Sequence, residues 1–148
     1  MKIPIDFSPN KDRISLICSV RFAPKNLPLP IKFVVDTGSP ETFIDEIDLL
    51  RFRIQAQSYP YSNDMLMAGT KVALHKIGKS AIGFRDASNN LQNMTFDSLK
   101  VARTAWTRKG AVSAGTSILG MNFLISMKMH LFVDPANDTA FISDGKNQ

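Results

Sequence analysis

Residues 31–44, IKFVVDTGSPETFI, carry an apolar run straight into Asp36 and then break at Thr37-Gly38-Ser39-Pro40. A carboxylate is costly to bury, so a hydrophobic strand that ends on one calls for a reason. The chemistry open to such a group is proton transfer to and from a reacting molecule. A lone carboxylate does this poorly and needs a second titratable group beside it. Gly38 permits a sharp backbone path and the close approach of a ligand or another chain. The hydroxyls of Thr37 and Ser39 are expected to orient the carboxylate and partly compensate it. The same residue types also make ordinary turns, so the tetrapeptide alone leaves both turn and site open.

Few other side chains compete for chemistry. Cys18 is the only cysteine and lies in the apolar run ISLICSV, where the expected role is a small buried hydrophobe. The two histidines, His75 and His130, are far apart and lack metal-ligand spacing, so no metal and no cofactor are expected. GAVSAGTS, residues 110–117, has Walker-like spacing but offers Thr116 where a phosphate-binding lysine belongs. Asp45, Glu46 and Asp48 are expected to act as cap and dipole partners at a helix start. DPANDTA lacks the glycine and glutamate of a calcium loop and reads as a hairpin turn.

The elements that must position Asp36 are short. RISLICSVRFA predicts a strand, and the prolines of PKNLPLP exclude a central strand over that loop. IKFVVDTG is the next strand. TFIDEIDLLRF then changes period: Phe43, Ile44, Ile47 and Leu50 suit a short helix, with Asp45 as its cap. DMLMAGTKVALHKIG reads as a hairpin with Ala68-Gly69-Thr70 at its tip. SAIGFRD and MTFDSLKVAR continue as strands around the polar turn ASNN, and AWTRKGAVSAGTS is expected to be loop. SILGMNFLISMKM runs from a strand through Gly120 into a helix with Phe123, Leu124 and Met127 on one face. HLFVDPANDTAFIS closes the chain as strand, turn and strand. The expected class is all-β, a barrel or compact β fold with one or two short helices.

The chain has 148 residues, 44% hydrophobic and 21% charged, which suits one soluble domain over residues 1–148. No apolar stretch approaches the length of a membrane span. The N-terminus MKIPIDFSPNKDR has a proline and charges where a signal peptide needs an apolar segment, so a cytoplasmic protein is expected. The net charge of +5 comes from scattered lysines and arginines without any nucleic-acid-binding pattern. Neither a membrane nor a nucleic acid is expected as partner.

A second motif joins the first. FVVDTGSPETFI, the hairpin LMAGTKVALHKIG and SILGMNFL occur in an order and spacing that resemble the retropepsin-like aspartic proteases, over roughly residues 14 to 142. The resemblance implies a retropepsin-like closed β-barrel, the acid protease fold. It implies a homodimer, because members carry one Asp-Thr-Gly per chain and pair them about a two-fold axis. It implies an aspartic endopeptidase with catalytic Asp36, Thr37 and Gly38, Thr37 interlocking the two loops and Gly38 lying close to substrate backbone. Met65, Met67, Ala68, Gly69 and Thr70 fall in the expected flap, and Ser39, Leu119 and Gly120 support the catalytic loop. The expected substrate is a polypeptide bound in extended form. The chain departs from the family in a flap with Gly69 as its one tip glycine and in Pro40 after the Asp-Thr-Gly-Ser. The rival reading is a retropepsin-like domain used for dimerisation or peptide binding, with little or no turnover.

Overall fold

The computed structural model describes residues 1–67 and 69–145. Alternation of apolar and polar side chains builds the first half of the molecule. In β3 (Ile14–Phe22), Leu16, Cys18, Val20 and Phe22 are buried while Ile17 and Arg21 face out. In β4 (Leu29–Val35), Leu29, Ile31, Phe33 and Val35 are buried and Lys32 is exposed. This period-two pattern is that of antiparallel strands with one face on a core. β3 and β4 pair from Ser15↔Val34 to Val20↔Leu29.

Pro30 lies inside β4, in a stretch expected to be loop, where only a central strand was excluded. The ladder tolerates it because β4 has only β3 as neighbour there; β11 (Ser117–Leu119) joins β4 no earlier than Phe33. β11 is buried at all three residues because it runs between β4, in parallel, and β5 (Phe43–Asp45), antiparallel.

β7 (Thr70–Arg85) is a single strand of 16 residues where two were expected. Gly78, at φ 82°, looks like a break in the sequence, but the register shifts beside it only bend the strand. One half of β7 pairs with β6 (Tyr61–Met67) and the other with β3, while β8 (Leu91–Ala102) runs along much of it. The eight-stranded sheet has the order β2-β3-β4-β11-β5-β8-β7-β6, with β2 at Asp6–Phe7, and the added β3–β7 pairing joins the run back on itself. The expected loop after residue 105 contains a small hairpin, β9 (Ala105–Thr107) with β10 (Gly110–Val112). A separate sheet places β13 (Thr139–Ser143) between β1 (Lys2–Pro4) and β12 (His130–Asp134).

The helices are α1 (Glu46–Leu50) and α2 (Met121–Met127). α2 drives Phe123 into the core against Phe84 and Phe96, with ring centroids 5.7 and 5.4 Å apart. Such a buried phenylalanine is worth about 3–5 kcal/mol against alanine. Leu124 is buried beside it and Met127 packs against the same core, as the one-face pattern predicts. Cys18 is buried in this core, and burial pushes its thiol up, away from the reactive thiolate. A second, smaller cluster of Phe43, Val72, Leu74, Ala102 and Ile118 lies under the β6–β7 hairpin.

Candidate active site

β4 ends at Val35, so Asp36 leaves the sheet at its rim. Backbone hydrogen bonds then shape the turn. The Asp36 N–H donates to the Leu119 carbonyl at 3.1 Å, and Ser39 N–H returns to the Asp36 carbonyl at 3.2 Å, closing a tight turn. Val35 and Leu119 are register partners in neighbouring parallel strands, which is why two motifs distant in sequence meet here.

Asp36, Thr37 and Gly38 are all exposed in the single chain. The apolar run therefore delivers the carboxylate to an open rim rather than into the core. Its orientation comes from the backbone: Gly38 N–H donates to Asp36 Oδ1 at 2.8 Å. A Cβ at Gly38 would sit 3.1 Å from the same oxygen, tighter than side chains normally pack. The Thr37 and Ser39 hydroxyls do not hold the carboxylate. Ser39 Oγ donates to the Glu41 carbonyl at 2.7 Å, and the Thr37 hydroxyl has no hydrogen bond among the described residues. Asp36 Oδ2 is likewise unpartnered among them.

The supporting residues form a sealed joint. Leu119 is fully buried, and the Met121 and Asn122 N–H groups at the start of α2 donate to the carbonyls of Ser39 and Pro40 at 2.8 and 3.2 Å. Gly120 N–H donates to Thr42 Oγ1 at 2.9 Å, and that hydroxyl donates to Asn122 Oδ1 at 2.7 Å. A Cβ on Gly120 would lie 2.2 Å from the Glu41 carbonyl oxygen and 2.7 Å from that of Ser39, so the loop and the helix start can meet this closely only at a glycine. Thr42 and Asn122 were not singled out from sequence; their common signal is polarity inside otherwise apolar segments.

The β6–β7 hairpin lies over Asp36. Its strands pair as far as Met67↔Thr70, and Gly69 turns the chain at φ 78°, as expected for the tip. Ala68 lies outside the described residues, and Thr70 is exposed at the start of β7. Met65 and Met67 point inward onto the Phe43 cluster, whereas Leu66 is 73% exposed. Asp36 thus borders two cavities that share Met67. One, of about 430 Å³, is shared with Gly38, Pro40, Met65 and Ser113. The other, of about 520 Å³, is shared with Arg13, Val34, Ala114 and Ile118. Both linings are mixed: Lys11, Asp12, Arg13 and Thr116 join the apolar residues of the larger, and Ser39, Thr70 and Ser113 those of the smaller. Thr37 borders a third depression, with Leu124, Ile125, Lys128 and Leu131.

Glu46 and Asp48 lie in the first turn of α1, as expected of dipole partners, and are also tied elsewhere. Asp45 holds the N-cap position of α1 without a side-chain cap hydrogen bond. It is 2% exposed and its Oδ1 has no partner, and burial raises its carboxyl above the ordinary range against the pull of the Ile47 and Gly115 amides. Glu46 is a buried tie: its carboxylate accepts from the N–H groups of Ala56 at 2.5 Å and Thr104 at 2.9 Å. Asp48 accepts from Ser117 Oγ at 2.6 Å, anchoring α1 to β11. Among the described residues, no group of three or more His, Cys, Asp and Glu side chains gathers as a metal site would require. None of their helices is long and apolar enough to cross a membrane.

No family model matches the sequence, and no curated protein matches it. Solved structures do. The crystal structure of a retropepsin-like aspartic protease from Rickettsia conorii is 21% identical, with a TM-score of 0.59, over 96% of this chain and 89% of that one. The EIAV protease complexed with the inhibitor HBY-793 is 13% identical, with a TM-score of 0.49, over 85% of this chain and 98% of that one. The mostly β architecture resembles that of the Rickettsia protein, and the chain has a retropepsin-like fold.

Proposed function

We propose that the chain is one protomer of a homodimeric aspartic endopeptidase. The observation that carries this reading is Asp36 itself: an exposed carboxylate, held by one backbone amide, with its second oxygen free at the junction of two clefts beneath a β-hairpin. Such a group is half of a dyad. A second copy related by a two-fold axis would bring an identical Asp36 against it. Exposed apolar groups border the same rim and suit a protein partner: Ile125 beside Thr37, and Val133 beside the Asp36 cavity. Thr37, whose hydroxyl is free, is placed to bond the partner loop.

The chemistry follows from the pairing. Two carboxylates about 3 Å apart do not both ionise readily and share one proton. The ionised member takes a proton from a water lying between them, and the water oxygen attacks the peptide carbonyl. The protonated member donates a hydrogen bond to the carbonyl oxygen as negative charge develops there. Collapse of the tetrahedral species breaks the C–N bond, and a proton from the dyad goes to the leaving nitrogen. The substrate lies extended between the rim and the hairpin, its side chains in the two cavities, and closure of Met65 and Met67 over it excludes water.

The direct test is cleavage of an unfolded protein substrate at mildly acidic pH. The wild-type chain cleaves and Asp36→Asn loses at least about a thousandfold, consistent with removal of a group acting in the transition state. Equal behaviour of the two chains supports the rival reading, a peptide-binding or dimerisation domain.

A further inference from the structure

We propose that Glu41 and Lys100 are positioning residues: their ion pair, bridged by Asn63, clamps the β6–β7 hairpin to the loop that carries Asp36 and so sets where the hairpin closes over a peptide. The catalytic consequence rests on the endopeptidase reading; the clamp does not.

Three segments far apart in sequence meet in this cluster, and each side chain bonds to the other two. Lys100 Nζ lies 2.5 Å from Glu41 Oε1 and donates to Asn63 Oδ1 at 2.6 Å, while Asn63 Nδ2 donates to Glu41 Oε2 at 3.2 Å. The charged side chains are only 15% and 22% exposed, so solvent screens them far less than an ordinary surface pair. Lys100 sits between the fully buried Leu99 and Val101, a place in β8 where a strongly hydrated ammonium needs partners to be kept.

Each corner of the cluster is fixed to something the site uses. The Glu41 carbonyl accepts from Ser39 Oγ and abuts Gly120, so its backbone moves only with the Asp36 turn. The Lys100 N–H donates to the Thr42 carbonyl, one residue further along. The β6 register shifts between Tyr61 and Asn63, and beyond that bulge Asn63, Met65 and Met67 share the inward face. The anchor therefore stands on the same side of β6 as the two methionines that wall the Asp36 clefts. Among the described residues, no other side-chain hydrogen bond or ion pair joins β6 to residues 36–42. β7 ties the inner end of the hairpin to β8 through its ladder, Leu74↔Ala102 to Lys76↔Lys100, and the clamp adds the side-chain link from β6 itself to the Asp36 loop.

The test compares wild-type protein with Lys100→Met, with the milder Asn63→Ala and with the charge swap Glu41→Lys/Lys100→Glu. Amide hydrogen exchange is followed over the β6–β7 hairpin, and KM and kcat are measured on a short peptide cut by the wild type. In Lys100→Met the hairpin amides exchange at least about tenfold faster while β3–β4 amides keep their rates. KM rises by about tenfold with kcat within about threefold, because what is lost is placement of bound peptide rather than the reacting groups. Asn63→Ala gives a smaller shift in the same direction and stands in if Lys100→Met does not fold. The swap moves both readouts back toward wild type. Unchanged hairpin exchange in Lys100→Met or Asn63→Ala overturns the clamp. So does exchange that quickens evenly across the molecule with kcat and KM failing together, or a swap that restores neither readout. If the wild-type chain cuts no peptide, the endopeptidase reading falls while hairpin exchange still decides the clamp.

Discussion

At the scale of single residues, the molecule holds two aspartates in opposite circumstances. Asp36 stands in solvent with one amide on it and an oxygen to spare, as the proposed half-dyad requires. Asp45 is buried with an unpartnered Oδ1, and burial raises its carboxyl, with Asp48 and Glu46 adding like charge. A folded-state pKa above the unfolded one means that the native chain binds this proton more tightly. Asp45 therefore costs stability as pH rises from the ordinary carboxylate range through its raised value, and the cost is full above it. Asp45→Asn keeps the shape and removes the charge. It is expected to raise stability at pH 7 and to be near neutral at low pH, where Asp45 is protonated in both states. Denaturant midpoints at the two pH values check the sign. Of the residue-level site, Asp36, Gly38, Leu119 and Gly120 were legible because a strand-to-turn break leaves a local signature. Glu41, Asn63 and Lys100 were not, because each is an ordinary polar residue in its own segment and gains meaning only where three segments meet.

At the scale of elements, the strand ends around Asp36 were readable from alternation and turn residues, and the errors have physical causes. Pro30 lies in a stretch expected to be loop, and a strand holds it because β4 lacks a second neighbour there. Gly78 reads as a break and is instead a bend within β7, because a bulge absorbs its positive φ while pairing with β8 continues. Gly69 is the instructive contrast. A Cβ there would meet nothing within 4 Å, so its whole requirement is the left-handed backbone at φ 78°. Gly69→Val is expected to cost about 1–2 kcal/mol, felt in the hairpin rather than in the core. Amide exchange should quicken in β6 and the adjoining part of β7 and leave β3, β4 and β11 as they were. Gly69→Asn, which tolerates that conformation better, should fall between the two.

At the scale of the whole molecule, the single chain has a complete fold and, on the function proposed, half of a site. Its core is sealed by α2 on the sheet, and the pairings run from β3 around to β7 and back. The carboxylate that the fold delivers nevertheless has no titratable partner among the described residues of its own chain, and the sequence contains one Asp-Thr-Gly. That a second copy completes the site is therefore the central claim, and subunit mixing tests it most directly. Wild-type chain at constant amount is co-refolded with a threefold excess of Asp36→Asn, and cleavage of an unfolded protein is measured. If each site needs Asp36 from both copies, random pairing leaves about a quarter of the wild-type activity, because most wild-type chains then face an asparagine. Activity that is unchanged by the excess variant would contradict the shared site, as would a wild-type chain that cleaves nothing at any concentration.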